Sequence, residues 1–137
     1  MASEILLETS AIVALVLAEP EAAAFADRIR DARTIFVTPV ATFEASLVIS
    51  TRKRIPVPDA MDLVDRLLLL ADADRIAVTP DMASIAAEAA ERFGKGRGHP
   101  AQLNLCDCLA YAAARVTGAD LVYAGNDFAR TDLCRDG

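Results

Sequence analysis

Histidine and tryptophan are the scarcest residues in this sequence: His99 is the single histidine, and there is no tryptophan. One histidine excludes acid–base catalysis by a histidine pair and a histidine-rich zinc site. No apolar run approaches the roughly 20 residues that a membrane-spanning helix needs, since the longest covers residues 11–18. The first acidic residues, Glu4 and Glu8, precede any basic residue, unlike in a secretion signal. We therefore expect no membrane segment and a cytoplasmic location.

Cysteine and positive charge are also limited. Three cysteines, an odd number, favour reduced thiols over a disulfide framework. The net charge of −6 argues against simple electrostatic binding of nucleic acid, although basic residues are grouped at 28–33, 52–54 and 95–97. With 137 residues, 54% of them apolar, the chain is expected to form one domain over 1–137.

Short β-rich runs alternate with helical segments along the chain. Strands are predicted at 5–7, 34–37, 75–78 and 120–123, and helices from residue 9 or 10, at 20–31, 39–54, 59–70, 80–93 and 105–116. The pairs Thr38-Pro39 and Thr79-Pro80 each combine a capping residue with a proline suited to the first helical turn. Asp59 and Asn104 are the other predicted caps. The alternation predicts an α/β fold with a mostly parallel sheet of four to five strands flanked by helices.

Carboxylates stand at the ends of the apolar segments. They are Glu8 in ILLETSAIV, Glu44 in TFEASLV, Asp107 in LNLCDCLAYA, and Asp127 with Asp132 in GNDFARTDL. In an open parallel sheet such positions gather outside the carboxyl ends of the strands. Acids brought together repel one another unless a cation or shared protons relieve them. Mg²⁺ or Mn²⁺ suits such a cluster, because hard divalent cations take oxygen ligands.

Each acid also has a structural interpretation. Glu8 suits a helix N-terminus, Asp107 fits a capping box begun by Asn104, and Asp127 suits a turn. Glu44 is harder to explain without a site, because a charge near a buried helix face needs a partner. The joint pattern is more specific than any single acid.

The other motifs give weaker signals. The loop FGKGRGHP is not a phosphate-binding P-loop, and its interpretation as a basic flap makes Lys95 and Arg97 candidate RNA contacts. Cys106 and Cys108 point to different sides of a helix and are predicted to fill apolar space. Cys134 carries no signal.

At the four acidic segments the sequence resembles the PIN-domain ribonucleases, in particular the VapC-type toxins of bacterial toxin–antitoxin pairs. The resemblance covers essentially the whole chain. It implies a metal-dependent endoribonuclease with Glu8, Asp107 and Asp127 as primary Mg²⁺ or Mn²⁺ ligands and Glu44 as a further ligand or a group acting through water. The resemblance also implies four supporting residues. Thr9 and Ser10 match the family's small hydroxyl residues beside the first acid, Asn126 lies next to the fourth acid, and Asp132 lies nearby.

The resemblance has one departure, since the family's first acid is usually aspartate and here it is Glu8. The glutamate side chain is longer than that of aspartate by one methylene group. This difference leaves open an alternative function: a PIN fold that binds RNA or an antitoxin with weak or lost catalysis. A receiver-like phosphorylation module is a second alternative, but it needs an aspartate at the first strand end and a lysine after a later strand. No lysine follows Asp120.

The resemblance also implies partners. It implies a cognate antitoxin and an RNA substrate, with transfer RNA or another structured RNA as the family's usual target. The helix at 61–70 has apolar residues on more than one side, which suggests a partner surface. Self-association as a homodimer is expected as well.

Overall fold

The computed structural model describes residues 3–133. The elements follow in the order β1 (Glu4–Leu7), α1 (Thr9–Leu17), α2 (Ala22–Asp31), β2 (Thr34–Val37), α3 (Pro39–Lys53), α4 (Val57–Leu70), β3 (Asp74–Arg75), α5 (Pro80–Phe93), α6 (Leu105–Thr117), β4 (Asp120–Val122) and a 3-10 turn (Phe128–Arg130). All strand pairings are parallel. The predicted α/β fold with a parallel sheet flanked by helices is therefore confirmed.

The strand order explains where a site can form. The sheet has the order β3-β2-β1-β4, so β1 is central. Ile5 pairs with Ile35 on one side and with Asp120 on the other. Because the chain leaves β1 towards β2 while β4 lies on the opposite side, a crevice opens at the carboxyl ends of β1 and β4. Glu8 follows β1 at this crevice.

Two cores lie on the two faces of the sheet. Ile5 and Leu7 of β1 face a core built with α1 to α4, and Leu6 faces a second core built with α5 and α6. This alternation follows from the two-residue period of a strand. Because both faces are covered, β1 is apolar throughout apart from Glu4, as strands of buried parallel sheets are.

Helix starts follow the predicted capping signals in three places. The Thr38 hydroxyl accepts a hydrogen bond from Ala41 N at 3.3 Å, and the Thr79 hydroxyl accepts one from Met82 N at 3.4 Å. Asn104 opens α6 with a capping box. These side chains satisfy backbone donors that have no partner within the helix.

Three predicted boundaries were wrong. Asp59 is not a cap: α4 begins at Val57 with Pro58 in its first turn, where a missing amide hydrogen is tolerated. Pro20 lies in the turn before α2, because Ala22 N donates to Glu19 O and the helix starts there. The third strand ends at Arg75 instead of residue 78, since this short edge strand leaves the sheet to reach the Thr79 cap.

The most apolar helix, α1, lies in the core. Its residues Ile12 and Val13 are buried. Over residues 3–133, no single helix is long and apolar enough to cross a membrane. Only α1 and α2 taken together meet that test of length and composition, and the two helices are bent by 112°.

Candidate active site

A pocket of about 390 Å³ lies at the crevice beside the carboxyl end of β1. It brings together three of the predicted acids, Glu8, Glu44 and Asp107. Its other lining residues come from α1, the segment that follows it, α3 and the segment after β4: Thr9, Ser10, Val13, Glu19, Glu21, Val48, Arg52, Ala124 and Gly125. Acids separated by up to about a hundred positions in the sequence therefore share one cavity.

Glu8 is buried, with 5% of its surface exposed, and its side chain caps α1. Oε2 accepts hydrogen bonds from Ser10 N at 2.8 Å and from the Ser10 hydroxyl. The Ser10 oxygen in turn accepts a hydrogen bond from Ala124 N at 2.8 Å. Ser10 thus joins the first acid to the segment that leaves β4.

Glu44 of α3 is hydrogen-bonded to a residue of α1 in the pocket. The Thr9 hydroxyl donates a hydrogen bond to Glu44 Oε1 at 2.6 Å. Thr9 is buried and Glu44 is half-buried on α3. The partner that a charge on this helix face needs is therefore the Thr9 hydroxyl, and the Cys106 thiol also hydrogen-bonds to the Glu44 side chain.

Asp107 carries out the capping role that its position predicts and lines the pocket as well. Asp107 N donates to Asn104 Oδ1 at 2.9 Å, and Asn104 N donates to Asp107 Oδ2 at 3.0 Å. The structural and functional interpretations of this acid are thus compatible, because the capping box fixes its position at the start of α6.

Asp127 and Asn126 lie at the exposed rim. Gly125, with φ of 86°, turns the chain after β4, and Phe128 anchors the segment in the core. Asp127 does not line the pocket itself, but its charge is close enough to raise the pKa of Asp107. The fourth predicted acid therefore acts on the same electrostatic environment.

The pKa values reflect this crowding. Burial, together with the charges of Asp107 and Glu44, raises the pKa of Glu8 from 4.5 to about 7, against the lowering effect of the hydrogen bonds from Ser10. Burial also raises the pKa of Asp107, and the charges of Asp127 and Glu44 add to that shift. Carboxylates in this state gain stability from a cation placed among them.

The donors fit a hard divalent cation by type, because every acid in the pocket offers carboxylate oxygens. Their present arrangement is not that of a formed metal site: within residues 3–133, no three His, Cys, Asp or Glu side chains are grouped to hold an ion. Glu8 and Asp107 each use an oxygen in capping. Metal ligation thus requires side-chain rotation within the pocket.

The structure places Asp132 outside the acidic pocket, which corrects its expected supporting position. Its carboxylate accepts a hydrogen bond from the Tyr111 hydroxyl at 2.7 Å and pairs with Arg115 and with Arg92, the latter at 3.3 Å. These partners lie on α5 and α6. Asp132 therefore anchors the segment that follows the 3-10 turn.

Lys95 and Arg97 do not line the acidic pocket either. They border a separate cavity with the start of α6, including Leu105, and Arg97 lies 3.9 Å from Glu91. The structure does not bring these predicted RNA contacts to the carboxylates.

Two residues near the acids were not predicted from the sequence to belong to the site: Arg52, which lines the pocket, and Cys106, which does not line it. Arg52 lines the pocket from the last turn of α3. Arg52 follows Glu44 by eight residues, about two helical turns, so the spacing alone predicts that both lie on one face of the helix. Cys106, predicted as filler, lies close enough to the acids that burial and then Glu44 raise its pKa to about 11. Its thiol is therefore protonated beside the carboxylates at neutral pH.

The fold and the site define an α/β domain with an acidic pocket at the carboxyl edge of a parallel sheet. Residues 5–133 match the model of the PIN domain. A VapC ribonuclease of Rhizobium meliloti (strain 1021) is 37% identical over 139 residues, with 93% of this chain and 97% of the relative covered. Ribonuclease VapC42 of Mycobacterium tuberculosis (strain H37Rv) is 38% identical over 128 residues, covering 93% and 95%. The chain belongs to the PIN-domain family, as the resemblance predicted.

Two solved structures share the fold. One is VapC20 of Mycobacterium tuberculosis, described as a sarcin-ricin loop cleaving toxin, with a TM-score of 0.69 and 16% identity over 91% of this chain and 92% of that one. The other is VapBC2 from Rickettsia felis bound to a DNA fragment from their promoter, with a TM-score of 0.68 and 17% identity over 95% and 94%. At these identities the likeness concerns the fold.

Proposed function

We propose that this chain is an endoribonuclease that acts as the toxin of a toxin–antitoxin pair. The observation that carries the proposal is the convergence of Glu8, Glu44 and Asp107 in one pocket at the carboxyl edge of the sheet. Relatives that match 93% of the chain are named VapC ribonucleases. The substrate is RNA, with transfer RNA or another structured RNA as the target class.

The cofactor in this proposal is Mg²⁺ or Mn²⁺. Glu8, Asp107 and Asp127 are the proposed ligands, with Glu44 as a further ligand or a group that orients water. When bound, such an ion lowers the pKa of a water molecule and balances the charge that develops on the phosphate. Supporting this assignment, burial and the charges of neighbouring acids raise the pKa values of both Glu8 and Asp107, and a bound cation would offset that repulsion.

The chain's own residues position the reacting groups. Ser10 holds Glu8, Thr9 orients one oxygen of Glu44, and Asn104 fixes Asp107. In this proposal the Glu44 carboxylate accepts a proton from an attacking water. The water oxygen bonds to phosphorus in line with the P–O3′ bond, which breaks. The leaving 3′ oxygen takes a proton from solvent, so the products are a 5′-phosphate and a 3′-hydroxyl.

A binding function with weak or lost catalysis is the second candidate. The observation that favours it is the use of Glu8 Oε2 by two donors of Ser10. A glutamate committed to capping α1 is less available to a metal ion. Cleavage of RNA by the purified protein separates the two candidates.

The test compares purified parent protein with Asp107→Asn on total RNA, in millimolar Mg²⁺ or Mn²⁺ and in EDTA. We expect metal-dependent cleavage that Asp107→Asn abolishes. Asp81→Asn is the matched control, because Asp81 also lies in the first turn of a helix but outside the pocket. Parent protein that stays inactive with either metal supports the binding function. If a folded Asp107→Asn variant keeps the activity of the parent, Asp107 is not part of the catalytic site.

Thermal melts of the same proteins test the metal independently of cleavage. Ligand linkage predicts that millimolar Mg²⁺ or Mn²⁺ raises the melting temperature of the parent and that EDTA reverses the rise. The rise should be smaller in Asp107→Asn and unchanged in Asp81→Asn. An equal rise in all three proteins would contradict a metal site at the acids.

The proposed partners are a cognate antitoxin and a second copy of the chain. Apolar side chains lie exposed on α3 and α4: Phe43, Leu47, Leu69 and Leu70. Phe43 and Leu47 flank Glu44, so an antitoxin segment seated there would place a basic side chain towards the acids. The toxin acts in the cytoplasm in this proposal. Light scattering that shows only monomers at high concentration would contradict the homodimer.

A further inference from the structure

Arg52 lies on the same helix face as one of the acids. Glu44, Val48 and Arg52 follow at intervals of four residues on α3, and all three line the acidic pocket. This spacing places them along one side of the helix. Arg52 therefore reaches the pocket from the last turn of α3, two helical turns beyond Glu44.

Arg52 is held by a weak ion pair. Its Nη1 lies 3.3 Å from Glu19 Oε1, and Glu19 also lines the pocket. The side chains of Arg52 and Glu19 are 54% and 34% exposed. Ion pairs this exposed contribute little to stability. The guanidinium is therefore free to exchange Glu19 for a stronger anionic partner.

The charges around the pocket give Arg52 a distinct position. Among the lining residues in the described part of the chain, Arg52 is the only cation, and the others that carry charge are acids: Glu8, Glu19, Glu21, Glu44 and Asp107. Such a pocket repels the phosphates of an RNA strand. A guanidinium matches phosphate oxygens with two parallel donors, so Arg52 offers the attractive contact that the pocket otherwise lacks.

We propose that Arg52 binds an RNA phosphate next to the cleaved bond and that Glu19 holds Arg52 when RNA is absent. The inference rests on the proposed ribonuclease function and adds the residue that recognises the substrate backbone. Glu19 then competes with RNA for the same guanidinium. Loss of Arg52 and loss of the Glu19 charge must change RNA binding in opposite directions.

The experiment measures binding of a fluorescein-labelled single-stranded uridine 12-mer by anisotropy at several salt concentrations. All variants carry Asp107→Asn so that the probe stays intact. Arg52→Gln should weaken binding about tenfold, a change of roughly 1.4 kcal/mol. It should also reduce the salt slope by about 0.7, the contribution of one phosphate on a single strand. Glu19→Gln should strengthen binding.

Arg33→Gln is the matched control. Arg33 forms a similar exposed pair with Glu4 at 3.2 Å, but at the amino ends of the strands, away from the pocket. It should leave RNA binding within twofold of the reference, roughly 0.4 kcal/mol. If Arg52→Gln and Glu19→Gln weaken binding alike, the pair is only structural and the inference is overturned.

Cleavage by chains that retain Asp107 separates this inference from the proposed function. We expect Arg52→Gln to raise KM while kcat changes little, and Glu19→Gln to lower KM. If the parent cleaves RNA and Arg52→Gln matches its KM and salt slope, Arg52 is not the contact although the ribonuclease function stands. If the parent neither binds nor cleaves RNA, both proposals are overturned.

Discussion

Thr9 donates its hydroxyl to Glu44 Oε1 at 2.6 Å and so joins α1 to α3 across 35 positions of the sequence. The contact fixes one carboxylate oxygen of Glu44 by a residue adjacent to Glu8. The positions of Glu8 and Glu44 are therefore coupled, because the start of α1 carries Glu8 and also orients Glu44. The role of Thr9 is testable without disturbing the shape of the site.

Thr9→Val should lower cleavage about tenfold, because valine keeps the volume but leaves Glu44 free to rotate. The stability loss should be about 1 kcal/mol, as for a typical hydrogen bond. Cleavage kinetics and urea denaturation measure the two effects. Thr42→Val is the control, since the Thr42 hydroxyl bonds within α3 to Pro39 O. Equal activity of Thr9→Val and the parent would show that Glu44 needs no orientation.

Glu8→Asp should raise cleavage of RNA, by roughly tenfold if the longer arm misplaces the carboxylate by a fraction of an ångström. Aspartate is also a good N-cap residue, so α1 should keep its start. Total RNA with Mg²⁺ or Mn²⁺ is the assay, with circular dichroism as the check of folding. Glu88→Asp, on the exposed face of α5, is the control. A Glu8→Asp variant no faster than the parent would show that Glu8 does not impair the site.

The pKa of Glu8 predicts a pH dependence of stability in EDTA. The folded chain holds this proton with a pKa of about 7, against 4.5 when Glu8 is solvated. Folding therefore favours the protonated form, and the stability contributed by Glu8 is present below pH 4.5 and lost as pH rises through 7. The slope is at most about 1.4 kcal/mol per pH unit for this one proton.

Glu8→Gln removes that titration. Urea denaturation across this pH range should show a shallower fall for the variant than for the parent, with the remaining fall assigned to Asp107, whose pKa is also raised. Parallel curves for parent and variant would mean that Glu8 titrates as a solvated acid.

Asp132→Asn should reduce stability by about 1 kcal/mol, because it removes the charge that pairs with Arg92 and Arg115. Cleavage well below the melting temperature should change by less than roughly fivefold, about 1 kcal/mol, since Asp132 lies outside the pocket. Asp27→Asn, which breaks the exposed pair with Arg30, is the control and should be close to neutral. A large loss of activity without a loss of stability would show that Asp132 contributes to the acidic site.

The sequence predicted those parts of the fold that depend on local chemistry. Three predicted caps mark helix starts, because each side chain accepts a hydrogen bond from the backbone N–H three residues later: Thr38, Thr79 and Asn104. The position of Glu8 was also predictable, because parallel strands bring their carboxyl ends to one edge. Glu44 and Asp107 reach the same pocket from helices α3 and α6.

The features that the sequence did not predict depend on contacts between segments far apart in the chain. Asp132 follows the Asp127 segment in sequence, but its position is set by Tyr111 and Arg115 on α6. The short β3 reflects its place at the sheet edge, which no pattern within residues 75–78 reveals. Arg52 was predictable in part, because helical spacing ties it to Glu44, while its partner Glu19 comes from a different segment.

The bond between Ser10 and Ala124 N has a consequence for biosynthesis. Ser10 holds Glu8 and belongs to one of the first segments to be made, whereas Ala124 and Asp127 are translated after α6. A growing chain that has emerged only as far as α5 carries Glu8 and Glu44 without Asp107, without Asp127 and without the strand that completes their crevice. At synthesis rates of about 5–20 residues per second, several seconds separate the first acid from the last. During that interval the ribosome holds a polypeptide whose pocket is not yet assembled.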